Sequence, residues 1–287
     1  MTPQTERRAR AVRALALFRH GLLLLAFVAA PGAASQAADD DRGVRSASWA
    51  SLLEQHTRSV QSTVGTEVNY RALREGSGAE AWTSLIEELA SATVPRDRAR
   101  AMAFWIDAYN ILAIDTVLRA WPVESIRDAG NLLWPVWKRE AGVVADRSVT
   151  LHEIEHEILR PLGDPRIHAA IVCASTSCPS LRRSPFSGDD LDAALDESMR
   201  SWLASATKGM RIDRQKQRIT ISRIFDWFAE DFTTLGGVRA VLRRYAPEAD
   251  RPWLARNVEE SAIDHFDYDW TLNDWNREQA TTTLRAP

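Results

Sequence analysis

Residues 150–181 read TLHEIEHEILRPLGDPRIHAAIVCASTSCPSL and hold three of the chain's six histidines and both of its cysteines. Their spacing predicts a short helix over 150–160, a Pro/Gly turn over 161–165, a strand over 166–173 and a polar loop ending at Pro179. Titratable and nucleophilic side chains concentrated in so short a stretch mark it as the place where this chain would do chemistry. The rest reads as scaffold brought up to it. Helix, turn and strand in that order, with hairpins on either side, predict an α+β single domain whose helices pack on a small, mainly antiparallel sheet.

Upstream, residues 134–150 alternate enough around Gly142 to predict a hairpin. Before it, 98–121 forms the longest apolar helix, with Phe104-Trp105-Ile106-Asp107-Ala108-Tyr109-Asn110 at its middle and Pro122 as its stop. Asp107 and Asn110 lie three apart, hence on one face of a helix that is apolar nearly all round. A helix of that kind is buried, so its polar groups need partners. Either they form a structural hydrogen-bond network, or Asn110 faces a cleft and orients a catalytic group. Nearer the N-terminus, 48–59 is helical with Ser48 as N-cap and Trp49, Leu52, Leu53 and His56 on one side. An extended piece over 67–70 leads to a helix over 79–92, whose Trp82, Leu85, Ile86 and Leu89 make a core-facing stripe.

Downstream, Asp189 and Asp190 start a helix through Ala204, and 208–221 reads as a second hairpin with Met210, Ile212, Ile219 and Ile221 inward. Ser222 is placed to cap a helix carrying Ile224, Phe225, Trp227, Phe228 and Phe232, closed at Gly236. Another helix follows over 238–245, and 265–272 reads as a late strand returning to the core. Of the eleven tryptophans, Trp105, Trp202 and Trp227 fall on helical stripes. They are therefore assigned to the core and carry no ligand assignment.

The chain has 287 residues, 45% hydrophobic and 26% charged, with a formal net charge of -3. That is enough apolar material for a sizeable core. It gives no electrostatic reason to expect nucleic acid, which needs a clustered positive surface. At the N-terminus a basic region with Arg7, Arg8, Arg10 and Arg13 precedes an apolar run over 21–30 and the small-residue stretch PGAASQA over 31–37, the order a secretory signal requires. The expected organisation is a signal peptide over 1–37, a linker over 38–45, one domain over 46–276 and a tail over 277–287. It implies export, into a bacterial periplasm, with no membrane-spanning segment in the mature chain.

Two patterns bear on chemistry. His152-Glu153-Ile154-Glu155-His156 satisfies H-E-x-x-H, which on a helix sets two histidines on one face for zinc, with Glu153 as general base. Yet Thr150 and Glu153 also make a T-x-x-E capping box, which would turn that glutamate back onto the helix start. The second pattern is Cys173-Ala-Ser-Thr-Ser-Cys178. In an exported protein it can be a disulfide closing a small loop, worth about 2 kcal/mol in the chain-entropy model. It can equally supply a thiol nucleophile at a strand end. Cys173 would attack, His156 would take the proton, and Glu155 or Asn110 would orient the ring. On a regular strand His168 points away from Cys173, so it serves only if the strand breaks or Cys178 is the nucleophile. His56 and His265 are left as structural.

Several segments together resemble the domain of unknown function 547 family, found in exported bacterial proteins and in plants. They are Ala103 through Asn110, Leu151 through Arg160 around Ile154-Glu155-His156, Asp164-Pro165-Arg166-Ile167-His168, Cys173-Ala174-Ser175 with Ser177-Cys178-Pro179, Ile224 through Phe228, and Tyr268-Asp269-Trp270. The family often has Asn where this chain has Asp107, and its helix motif centres on Ile-Glu-His without a histidine at the place of His152. The resemblance implies an α+β fold similar in layout to papain/transglutaminase-like thiol enzymes. Those enzymes carry cysteine at the start of the buried helix and histidine later on a strand, whereas here the cysteines follow His168. The expectation is a thiol-dependent hydrolase or acyl transferase acting on an amide or thioester. The alternatives are a non-catalytic binding or scaffold protein with a Cys173–Cys178 disulfide, and a zinc hydrolase using His152 and His156. The expected ligand is an unidentified small molecule or peptide, with no cofactor and no metal.

Overall fold

The computed structural model describes residues 46–131 and 134–276. The expected signal peptide, the linker and the tail lie outside them. Helices α1 (Ser46–His56), α2 (Tyr70–Glu75) and α3 (Ala79–Ala90) surround the long helix α4 (Arg98–Ala120). The Asp97 carboxylate caps α4 by accepting from the Arg100 amide at 3.0 Å, and Pro122 stops it. Nearly every residue from Met102 to Leu118 is buried. By length and composition α4 would span a bilayer, but it is the core helix of this domain. Helix α1 begins before Ser48, whose hydroxyl donates instead to Glu88 on α3 at 3.4 Å; the expected N-cap is corrected.

Among the described residues the strands form three small sheets and not one. Strands β1 (Thr57–Ser59) and β2 (Thr66–Val68) pair antiparallel, as do β3 (Glu140–Val144) and β4 (Arg147–Thr150). The third sheet joins β5 (Met210–Asp213), β6 (Arg218–Ile221) and β7 (Ala262–His265), with β6–β7 parallel. The β3–β4 turn is at Ala145–Asp146, both with positive φ (51° and 59°), which matches the twist of the flanking strands. Gly142 marks a register shift in β3, where an added Cβ would come within 2.7 Å of Leu112.

The expected strand over 166–173 does not form. Asp164 caps a 3-10 turn, Pro165–Ala169, by accepting from the Arg166 amide at 3.0 Å, and Pro165 supplies its pre-set φ. Beyond it the chain runs without regular structure, with one bridge, Ser175 to Leu272. His168 and the cysteines are thus not on a strand, and these elements give the papain/transglutaminase layout no support. The helix expected after Ser222 is broken into α6 (Ile224–Trp227) and a 3-10 turn, Asp231–Leu235. Helix α5 (Leu191–Ala204) and α7 (Val238–Tyr245) fall where expected. Helix α8 (Arg251–Asn257) was not foreseen, and the late strand is β7, ending where 265–272 was expected to begin.

The buried apolar residues form two clusters. The larger surrounds α4 with α1 to α3, the β3–β4 hairpin and the cysteine segment. The smaller gathers Trp202 of α5, β5, β6, Phe225, Phe232, α7 and α8. Tyr268 packs against both. The site lies along this seam.

Candidate functional site

The floor of the site is the segment carrying the thiols, and α4 fastens it. Asn110 donates its Nδ2 to the Ala170 carbonyl at 3.0 Å and accepts the Val172 amide on Oδ1 at 2.8 Å. Both ends of its amide are thereby spent on backbone, so Asn110 positions the cysteine segment and does not orient an imidazole. Asp107 is a staple too, accepting from the Trp49 indole at 3.2 Å and the Phe186 amide at 3.0 Å. On its other side the segment is stitched to the end of the domain: Asn273 donates its amide to the Ala174 carbonyl at 3.0 Å and Thr176 to that of Thr271 at 2.8 Å.

Ala174, immediately after Cys173, has φ 60°. This left-handed residue turns the chain, and the Cys173 amide donates to the Cys178 sulfur at 3.0 Å. Replacing Ala174 by glycine is expected to leave stability unchanged within about 1 kcal/mol, whereas valine, β-branched at a positive φ, is expected to cost about 2 kcal/mol. Urea unfolding of the two variants tests this, and equal tolerance of both would refute the strained turn.

Cys173 and Cys178 are free thiols, both buried, and their Sγ atoms are 2.6 Å apart. The Tyr268 hydroxyl lies 3.3 Å from each sulfur, and Ser175 Oγ is 3.2 Å from that of Cys173. Burial opposes ionisation of Cys178. Donors from the Cys173 thiol, the Tyr268 hydroxyl, the Cys173 amide and the Ser175 hydroxyl more than offset it and bring its pKa to about 6. The neighbouring Cys178 sulfur, with burial, pushes the Cys173 thiol up, so Cys173 keeps its proton and donates it. Burial and the two sulfurs likewise keep Tyr268 protonated. Lys208 is buried too and donates to the Val64 carbonyl at 2.7 Å; burial lowers it to about 8, while the thiol pair acts to hold its charge.

The acid/base wall comes from a π-helical segment, Glu153–Leu159, and the 3-10 turn bearing His168. Wide π turns are rare and gather at functional sites. Glu155 is buried and accepts from the Tyr109 hydroxyl at 3.4 Å. Burial, and then the nearby Cys178, raise its pKa to about 7. His168 Nδ1 stands 4.0 Å from Glu155 Oε1, and His168 Nε2 lies 2.8 Å from Asp231 Oδ2. A carboxylate only accepts, so Nε2 carries the proton. Burial lowers the His168 pKa. Asp231 is held low, first by Arg160, which grips both its oxygens at 2.7 Å. The same guanidinium donates to His156 Nδ1 at 2.7 Å, leaving the ring proton on Nε2. Burial, with His152 and Arg160 close by, lowers His156 to about 4.

Cys173, Cys178, Glu155, His156 and His168 all line one cleft of about 340 Å³. The structure brings them together, but not in the roles expected from sequence. Among the described residues no hydrogen bond joins a thiol to an imidazole. Cys178 is the better thiolate, and His156 is committed to Arg160. The two sulfurs stand as free thiols at a separation from which the disulfide offered by the sequence could close. The zinc arrangement is not built either: Glu153 accepts the Thr150 amide at 2.7 Å in the foreseen capping box, with Arg147 3.7 Å away. His152 and His156 do lie together, ring centroids 4.3 Å apart, yet no group of three potential ligands exists among the described residues.

Sequence reasoning missed four contributors. Arg160, four residues after His156 on a helix, could have been found from that spacing. Tyr268 lay in a recognised motif without a role. Asp231 is 63 residues from His168, with no sequence signal to link them. Trp227, assigned to the core, is 45% exposed at the cleft.

Fold and site thus define an α+β protein with a buried pair of thiols at the floor of an aromatic-walled cleft. Residues 95–203 match the family model described as "Protein of unknown function, DUF547", and this segment of the chain is similar to that family. The segment contains Asn110, Glu155, His156, His168 and both cysteines, while Asp231, Tyr268 and the cleft tryptophans Trp227 and Trp270 lie beyond it. No curated protein and no solved structure matches the chain.

Proposed function

We propose that this is an exported, periplasmic thiol-dependent hydrolase or acyl transferase acting on an amide or thioester, with Cys178 as its nucleophile. The observation that carries the reading is the convergence of donors on the Cys178 sulfur beside a carboxyl, Glu155, that titrates near neutrality. The Cys178 thiolate adds to the carbonyl carbon, and the charge moves to the carbonyl oxygen, toward which the Tyr268 hydroxyl can turn. As the tetrahedral adduct collapses, Glu155 gives its proton to the departing amine or thiol. Water or an acceptor then attacks the thioester on Cys178 and yields its proton to the Glu155 carboxylate, and the acyl group leaves as acid or transfer product. His168, anchored by Asp231, is a positioning residue beside Glu155. Turnover of an amide or thioester panel is expected to vanish in Cys178→Ala; a variant that kept full activity would sink the proposal.

A second reading rests on the 2.6 Å between the sulfurs. Two thiols this close are within reach of oxidation, and a disulfide-linked protein would be an exported binding or scaffold protein. Intact mass after alkylation, with and without reductant, separates the two: label taken up only after reduction favours the scaffold.

Glu155 also gives a stability signature. Its pKa is raised from 4.5 to about 7 in the folded chain, so the neutral form is favoured by folding. The stability this contributes is present below pH 4.5 and lost as pH rises through 7. The loss amounts to about 3 kcal/mol by pH 8. Glu155→Gln is expected to remove this slope, as urea unfolding at pH 4 and pH 8 would register. A slope unchanged by the substitution would mean that Glu155 titrates normally.

A further inference from the structure

One wall of the cleft presents ring faces that the chemistry above does not use, since that chemistry draws on the Tyr268 hydroxyl alone. Trp227, Tyr268 and Trp270 form a continuous aromatic shelf, with ring centroids 4.9 Å apart for Trp227–Tyr268, 4.4 Å for Tyr268–Trp270 and 5.9 Å for Trp227–Trp270. The two indoles are within 18° of parallel and too close together to admit a ring between them. They therefore offer a surface to stack on and not a cage. Trp137 closes the shelf edge-on against Trp270 at 5.4 Å, and Phe228, which also lines the cleft, lies on His168 at 4.1 Å. Trp227 stays 45% exposed, an apolar ring left open to water in the cleft that the thiols also line.

The charges around the shelf restrict what can sit there. No lysine or arginine lines the cleft among the described residues, and the nearby Arg160 is committed to Asp231 and His156. An anion in the cleft would face Glu155, and Arg127, whose guanidinium lies over the Trp270 ring at 5.3 Å, is not among the residues that line the cleft. A sugar would need acceptors as well as donors, but the Tyr268, Glu155 and His168 side chains are engaged with others, which leaves donors, His156 Nε2–H and the Trp227 and Trp270 indole N–H groups.

We propose that the shelf seats a flat, uncharged, apolar group of the substrate, an aryl or similarly planar substituent next to the scissile carbonyl, and so places that carbonyl over Cys178. The substrate class is then an uncharged aryl amide or aryl thioester; this deepens, and rests on, the thiol reading of the same cleft.

The test is a tryptophan-fluorescence titration of the full-length Cys178→Ala protein, which can bind but not react, with benzamide, benzoate, benzyltrimethylammonium and methyl glucoside at pH 6 and pH 8. Benzamide is expected to bind saturably and benzoate at least tenfold more weakly, the gap widening at pH 8 as Glu155 ionises. Adding Trp227→Ala is expected to weaken benzamide at least fivefold. Trp134→Ala, at a 65% exposed tryptophan that does not line the cleft, is expected to change nothing. Equal binding of benzoate, tighter binding of the ammonium or the glucoside, or no effect of Trp227→Ala would overturn the proposal. If benzamide binds but the parent protein turns over no amide or thioester, the thiol reading falls and the shelf remains a binding site. If turnover is intact and benzamide does not bind, the shelf alone is refuted.

Discussion

Iodoacetamide is expected to label Cys178 with a rate that rises to half its maximum near pH 6. An ordinary thiol, with a pKa near 8.5, is about 1% ionised at pH 6.5, whereas one at 6 is about 75% ionised. A low-pKa thiolate is intrinsically weaker by about tenfold over this interval, since nucleophilicity follows basicity with a coefficient near 0.4–0.5. The two effects leave Cys178 about five- to tenfold faster than a free cysteine at pH 6.5, and slower than one at pH 9. Tyr268→Phe removes one donor and is expected to raise the midpoint by about one unit, and Cys173→Ala, which removes both a donor and a neighbour, by more. Peptide mapping locates the label. A midpoint above 8, or label found mainly on Cys173, would reverse the assignment of the two sulfurs.

Asn110→Ala is expected to destabilise the protein by about 3–5 kcal/mol. The side chain satisfies one buried carbonyl and one buried amide, and leaving each unpaired costs about 1–3 kcal/mol, with a cavity added. Asn110→Asp is expected to do comparable harm, since it keeps the acceptor for Val172 but turns a carboxyl oxygen toward the Ala170 carbonyl. Urea unfolding measures both, and a loss under 1 kcal/mol for alanine would show that the cysteine segment is held by other means. Because Ala170 and Val172 precede Cys173 directly, whatever folds in the alanine variant is also expected to lose the low alkylation midpoint.

These two residues show what could be read from the chain in advance. Asn110 stood out because a polar group in a helix apolar all round must have a partner, and that logic is local. Its partner, a backbone 60 residues away, was not available to pattern reading, so the side chain was offered a catalytic role that its two hydrogen bonds exclude. The apolar run after Arg166 was read as a strand, since a short apolar stretch does not declare its period. Asp164 and Pro165 decided otherwise, and the Arg166 guanidinium, bound to Asp164, Asp192 and Asp196, pins the 3-10 turn. The helix after Ser222 breaks because Phe228 leaves it to lie on His168. Cys173, Cys178, Glu155, His156 and His168 were legible as a group from chemistry and proximity. Asp231, Tyr268 and Trp227 reach the same cleft through closures that no spacing announces.

The stitching of residues 268–273 onto the cysteine segment has a consequence for when reactivity begins. The donor on Tyr268 and the clasp from Asn273 reach the thiols from 90 or more residues further along the chain. A chain still being synthesised therefore carries two ordinary cysteines with little reactivity. The low-pKa thiolate exists only where this closure has formed. The thiols are thus unreactive until the fold is complete.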